Sequence, residues 1–496
     1  MARRGRRVHP RPGPVAPDGR SLAGPCPRPC GHAELEAVVG GSAPCREPRP
    51  ARPGLAPPPS DRGALRVIPH TPPMPKHAAE RRVSQAPNPG AAVAHRRWLT
   101  GLYLLESLTS GGYTLLSIGI FFFTTHRFAW QPRQNFLLAA AQGLAYVGGA
   151  LLAQPLASRF GQRRALAALL VLMGLVSAVA AAFAAPLIVT LCLVAYTFVA
   201  AANWPMQESL VSQGADAHAL SRRIGIYNLT WSGTAAIALA VNGIIIKHWT
   251  AGVFLIPAIF HIAGGLLLAM HRDRLTPAAS PAAHAAPEPD LLAKRTLALW
   301  LSRLVLPATY VVIVSLMAIM PSLPVMQQLD VTSKTLISST WLAARWLAFL
   351  VLSATVWWHT RPRLLLVAAT AMLLAFFGVT IRPSDVAGTT VAWRADLASM
   401  LLFQLALGAC LGIVYAASLY FGMVLSDGAT EHGGYHEALI GVGCVVGPGS
   451  AALVQWLWPG KIGYSIAAVG GVLAISVAAA AMATVVLSGR RPRRRA

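Results

Sequence analysis

Gln154-Pro155-Leu156-Ala157-Ser158-Arg159-Phe160-Gly161-Gln162-Arg163-Arg164-Ala165-Leu166 is the stretch on which the architecture turns. It sits between two runs, 135–157 and 165–184, that are apolar almost throughout. A helix needs about 20 apolar residues to cross the hydrocarbon core of a bilayer. A short arginine-bearing loop between two such runs therefore reads as the turn of a membrane hairpin, held to one face by its charges.

Outward from this loop the pattern recurs. Twelve runs of spanning length lie near 101–124, 135–157, 165–184, 186–210, 222–246, 251–270, 303–328, 335–358, 364–381, 396–424, 434–458 and 463–487. Composition agrees: 55% of the 496 residues are hydrophobic, only 12% are charged, and mean hydropathy is +0.53. Soluble domains carry about 25% charged residues. The net charge of +24 belongs mostly to the ends, since residues 1–97 hold 17 of the 42 Lys/Arg and the last seven residues hold five. This excludes a soluble enzyme, a disulfide scaffold and a compact basic nucleic-acid domain. An all-α membrane protein of twelve transmembrane helices remains.

Charge orients it. With the amino end cytoplasmic, the inner loops carry eleven Lys/Arg and the outer loops seven, and an even span count places both termini inside. The expected location is the inner (plasma) membrane. Residues 1–97 are Arg/Pro-rich without apolar period and read as a disordered basic tail. Its first 73 residues suit a mis-called start, a solvated linker or a polybasic lipid contact. Residues 98–270 form a first six-helix half, 271–302 an Ala/Pro-rich cytoplasmic linker, 303–487 a second half and 488–496 a basic tail. Gly225, Tyr227 and Gly233 recur 208 positions later as Gly433, Tyr435 and Gly441, a faint echo of duplication. Cys26, Cys30 and His32 stand at a spacing faintly like a metal clip, but free thiols are the better reading.

The opening loop resembles the signature loop of the major facilitator superfamily, which joins spans two and three. Leu156, Ala157, Arg159, Gly161, Arg163 and Leu166 match that pattern, whereas Gln154, Ser158 and Gln162 replace its first Gly, its Asp and its next Arg. The resemblance implies two pseudo-symmetric six-helix bundles around a central cavity opened alternately to each side. The corresponding loop of the second half, His359-Thr360-Arg361-Pro362-Arg363, keeps basic remnants only. Gly443-x3-Gly447-Pro448 resembles a motif that the family's exporters carry in span five; it gives a slight lean to efflux, and close packing by small residues explains it equally well.

Ionisable residues inside spans mark candidate sites, because each costs about 2.5–3.5 kcal/mol at a helix centre on insertion scales. Glu106 is either a cavity carboxylate for a proton or cationic group, or a partner of Arg96, Arg97 or water. Arg345, about ten residues from either end of its expected span, suits an anionic substrate group; the alternative is a structural pair with Glu106. Tyr113, Asn203, Trp204, Tyr310, Trp341, Gln404 and Tyr415 complete a candidate cavity, with spans one, four, seven and ten expected to line it. Arg159, Gly161, Arg163, Arg164, Glu208, His436 and Glu437 are inner-gate candidates. Glu208 and Glu437 would pair there with Arg222, Arg223 or other inner-loop arginines, or be solvated at helix ends.

No phosphate-binding loop, nucleophile motif or His/Cys/carboxylate set at metal spacing stands in the sequence, so no cofactor and no metal is expected. The leading reading is a secondary active transporter of a small solute working by alternating access, with protons as a possible coupling ion. Its partners are the solute and the lipid bilayer, with no nucleic acid, and it works as a monomer. The alternative is a membrane receptor or assembly partner of the same shape without flux. An intramembrane enzyme ranks third.

Overall fold

The computed structural model describes residues 89–215, 217–270, 289–382, 393–425 and 430–489. Expectations for the tail to residue 88, for most of the linker and for the terminal arginines fall outside the described residues. Among the described residues, twelve helices are long and apolar enough to cross a membrane. They are α1 Val93–Phe128, α2 Pro132–Phe160, α3 Gln162–Ala182, α4 Pro186–Ser212, α5 Ala219–His248 and α6 Gly252–Met270 in the first half. The second half holds α7 Leu291–Ser322, α8 Val331–Ser353, α9 Arg363–Thr380, α10 Trp393–Leu425, α11 Gly433–Leu457 and α12 Ile462–Val486.

Several boundaries differ from the sequence reading, among them the starts of α1, α7 and α8 and the end of α8. The helix of α7 begins at Pro289, well before 303. Lys294 and Arg295 interrupt the apolar count there but not the helix, since both are good helix formers. Another difference is α8, which starts at Val331 although 331–335 is polar. Asp330 caps it, its Oδ1 accepting from the Ser333 amide at 3.0 Å.

Within the first half, α2 packs on α4, α3 on α6 and α1 on both α5 and α6. In the second half, α10 packs on α8 and α9, and α7 on α11 and α12. The halves meet mainly through α2 against α11 and α5 against α8. Small residues permit these approaches, as helices in lipid require. A Cβ on Gly143 would stand 2.5 Å from the Cys444 backbone, and one on Gly443 2.1 Å from the Pro307 carbonyl oxygen. Gly447 meets the Val311 backbone in the same way. The Gly443/Gly447 pair is thus accounted for by close packing of α11 on α7.

Two faces follow from the chain direction. The basic face bears the start of α1, the end of α12, the α2–α3 loop and the α8–α9 loop. On the opposite face the halves are tied together. Asn135 Nδ2 donates to the Ala318 carbonyl at 3.3 Å, the Gly243 amide donates to Thr335 Oγ1 at 2.9 Å, and Lys247 stands 3.7 Å from Asp330. The Asp330 carboxyl is held below its usual range, chiefly by Ser333.

Candidate functional site

The signature loop is built by one backbone feature. Gly161 has φ +80°, a conformation that L side chains rarely adopt, and it turns α2 directly into α3. This places Arg163 under the end of α6, where its Nε and Nη2 both donate to the Leu268 carbonyl at 3.0 and 2.8 Å. A cation is favoured at a helix C-terminus. Gln162 Nε2 donates to the Met206 carbonyl at 2.8 Å, tying α3 to α4. Arg159 and Arg164 are exposed. Arg163 and Gln162 thus bind within the first half, Gln162 at Met206, two residues before Glu208.

Between the halves lies a cavity of about 80 Å³. A void needs roughly 10–15 Å³ on this measure to hold one water, so several fit. Glu106, Tyr113, Trp204, Tyr310, Trp341, Arg345 and Tyr415 line it, joined by Glu437. Two expected members do not. Asn203 is fully buried and turned about 100° from Trp204, which takes the lining position. Gln404 shares a helical face with Tyr415 but lies three turns nearer the opposite face, and it too is fully buried. The expectation that α1, α4, α7 and α10 line the cavity is also too narrow, because Tyr146 of α2, Tyr227 and Trp231 of α5, Trp341 and Arg345 of α8 and Glu437 of α11 reach it.

Local irregularities aim these side chains. The helix α1 passes through a π turn at Thr114–Ile118 just after Tyr113, with Thr114 and Ile118 facing the cavity. Such turns are frequent at functional sites. In α4, Pro205 removes one backbone donor beside Trp204. The Trp204 ring meets Tyr113 edge to face at 5.5 Å.

Arg345 is 2% exposed and stands eight residues from the end of α8, nearer the basic face than its expected span placed it. Its guanidinium carbon lies 4.5 Å from the Trp231 ring centre, 4.8 Å from Tyr415 and 5.5 Å from Phe349. Tyr310 also meets it. Its Nε and Nη2 donate to no protein group, and no carboxylate pairs with it among the described residues. The structural pair with Glu106 is therefore not formed.

The acids are arranged differently. Glu106 is buried and does not meet Arg96 or Arg97, which are exposed; Ser110 Oγ donates to its Oε1 at 2.6 Å. Glu437 accepts on Oε2 from the Tyr146 hydroxyl. His436 Nδ1 lies 3.0 Å from Ser418 Oγ, and its Nε2 is 3.9 Å from Glu437 Oε1. Glu208 joins them: one ligand-type atom from each of Glu208, His436 and Glu437 lies within 4.8 Å of the others, all three residues being buried. Such a set can hold a proton or a cation. It corrects the reading that no such set exists, and the reason is distance along the chain, since Glu208 meets the other two only when α4 packs on α11. Arg223 does not pair with Glu208. It donates instead to the Gln213 carbonyl at 2.9 Å, at the end of α4, and its Nη2 lies 3.0 Å from His95 Nε2.

Tyr227, Ser110 and Thr114 are lining residues that sequence reasoning missed. Ser110 was findable, one helical turn from Glu106. Tyr227 was noted only for its place in the repeat, where its counterpart Tyr435 is 53% exposed.

A twelve-helix membrane protein with a polar, aromatic cavity between two halves is of the transporter class in its architecture. The family model "Major Facilitator Superfamily" matches residues 102–448, and the chain belongs to that superfamily. Among solved structures it is similar to the nucleoside transporter NupG, with TM-score 0.54 and 12% identity over 79% of this chain and 98% of that one. It is also similar to the human organic anion transporter MFSD10 (TETRAN), with TM-score 0.52 and 14% identity over 80% of this chain and all of the other. At these identities the likeness is one of fold. No curated protein matches the chain significantly.

Proposed function

We propose that the chain is a secondary active transporter that carries a small organic anion by alternating access, with protons as the coupling ion. The observation that carries this reading is Arg345: a buried cation on the cavity wall, surrounded by aromatic faces and without a carboxylate partner among the described residues. A cation at such depth is costly unless a partner anion reaches it, and a guanidinium offers a two-pronged fork to a carboxylate or phosphate. The walls of Trp231, Trp341, Tyr310 and Tyr415 suit a flat or apolar body attached to that anion. Glu106 within the cavity, and Glu208 and Glu437 towards the basic face, are the proton carriers in this reading. Two carboxyls held in one buried cluster are most cheaply kept with a proton between them.

Alternating access would use the two faces already described. The ties at Asn135, Gly243 and Lys247 would break as the opposite face opens, while Glu208, His436 and Glu437 part as the basic face opens. Direction follows the gradients, since packing accounts for the glycine pair of α11. We read the basic face as cytoplasmic in a plasma membrane, by the excess of Lys/Arg, and the working unit as a monomer. A cysteine at Lys461, exposed between α11 and α12, should then label in intact cells, and one at Arg164 should not.

The test of function is counterflow in proteoliposomes. Radiolabelled organic anions, cations and neutral solutes are offered with and without a pH gradient. Anion-selective flux stimulated by the gradient is expected. A chain that binds but moves none of them would favour the receptor reading, which rests on Ser158 standing where the family loop has an acid.

A further inference from the structure

Outside the central cavity, the basic face carries a cleft of about 680 Å³ between the start of α7, the α8–α9 loop, α9 and the end of α12. Three chain segments each bring a cation to it: Lys294 from α7, Arg361 from the loop and Arg363 from the first turn of α9. No carboxylate lines the cleft among the described residues. Neither Arg361 nor Arg363 forms an ion pair with a described residue, and the Arg361 guanidinium lies 5.4 Å from the Trp357 ring centre.

The rest of the cleft is mainly apolar, with Thr360 and Thr484 as its other polar side chains. Leu301 lies at its base and Val367, 63% exposed, on its outer wall, while Trp357 at the rim is 41% exposed. A tryptophan beside arginines, four residues past the end of α8, marks the level of lipid headgroups. The pseudo-symmetric loop of the first half shows what is unusual here. There Arg163 is spent within the protein, on the Leu268 carbonyl and over the Trp98 ring. Arg361 has a ring contact of the same kind with Trp357, but neither its guanidinium nor that of Arg363 donates a hydrogen bond to a described residue.

We propose that this cleft binds an anionic phospholipid, its phosphate held by Arg361 and Arg363 and its acyl chains lying over Leu364 and Val367. A basic pocket between membrane helices, continuous with a lipid-facing apolar wall, has the two halves of a phospholipid's chemistry. A free phosphate would use only one of them. A lipid seated there would bridge α7, α9 and α12 and so bias the rigid-body movement of the second half. The site does not depend on what the central cavity carries.

The experiment is native mass spectrometry of the full chain in neutral detergent. Dioleoyl phosphatidylglycerol, dioleoyl phosphatidylcholine and inorganic phosphate are added separately. The unmodified chain should retain phosphatidylglycerol well above phosphatidylcholine. The double variant Arg361→Gln/Arg363→Gln should lower that retention roughly 10- to 30-fold, as expected for removing two cations beside an anionic headgroup. The charge-matched control Arg96→Gln/Arg97→Gln, which alters exposed arginines elsewhere on the same face, should change it by less than about twofold. Equal retention of the two lipids would overturn the proposal, and because it is read on the unmodified chain it needs no variant to fold. Equal losses in the two double variants, or adducts of inorganic phosphate without phosphatidylglycerol, would overturn it as well.

Discussion

Two of the buried charged regions among the described residues are offset by different means. Around Arg345 the compensation is aromatic: three ring centres within 5.5 Å and no carboxylate among the described residues. Around Glu106 and Glu437 it is hydroxylic, with Ser110 and Tyr146 donating to the carboxyls. Ring faces attract a cation without neutralising it, so the guanidinium keeps most of its capacity to bind an anion. Hydroxyl donors satisfy a carboxyl in either protonation state, because each can also accept. In the proposed reading this difference separates a binding role from a proton-carrying role, and each can be attacked on its own.

The largest effect is expected at the cation. Arg345→Lys keeps the charge but loses the fork, and flux should fall roughly 10- to 100-fold with normal insertion, the equivalent of about 1.5–3 kcal/mol of charge-assisted hydrogen bonding. On the acid side, Glu437→Gln should abolish stimulation by a pH gradient while counterflow without a gradient persists, as counterflow needs no net proton movement. Loss of both together would merge the two regions into one site. Tyr146→Phe removes a single donor to that carboxyl and should cost about 1–3 kcal/mol of folded stability, read as a lowered melting temperature.

Smaller effects belong to the two pseudo-symmetric loops. Gly161→Ala forces a Cβ into a positive-φ conformation and should destabilise by about 1–3 kcal/mol. In the second-half loop, burial and the nearby Arg295 push His359 down to about 4 from an ordinary 6.5. The fold therefore holds this imidazole neutral. Its contribution is full above pH 6.5 and is lost as the pH falls towards 4. His359→Gln should flatten the melting temperature between pH 7 and pH 4.5, and an unchanged pH profile would contradict the assignment.

The fold was legible because lipid imposes one strong rule. Twelve apolar stretches and a Gly161 turn are enough to order the helices, and only ends such as Pro289 and Val331, where helix and apolar run part company, were misplaced. The site was half legible. A charge inside a span declares itself, so Glu106 and Arg345 stood out. Rotation and depth do not, which is why Asn203 and Gln404 were included and Tyr227 was missed. Glu208, His436 and Glu437 could be placed together at the inner ends of their spans, but that they meet within 4.8 Å comes from helices far apart in sequence and only their packing shows it.

The central claim is that Arg345 receives the anionic group of a transported solute. The most direct measurement is competition in proteoliposomes: counterflow of a transported anion against matched anionic, cationic and neutral analogues, for the unmodified chain and for Arg345→Lys. The account predicts that only anions compete and that the apparent affinity for them falls at least about tenfold in the variant. Competition by cationic or neutral analogues as strong as by anions, or an Arg345→Lys variant kinetically indistinguishable from its parent, would contradict it.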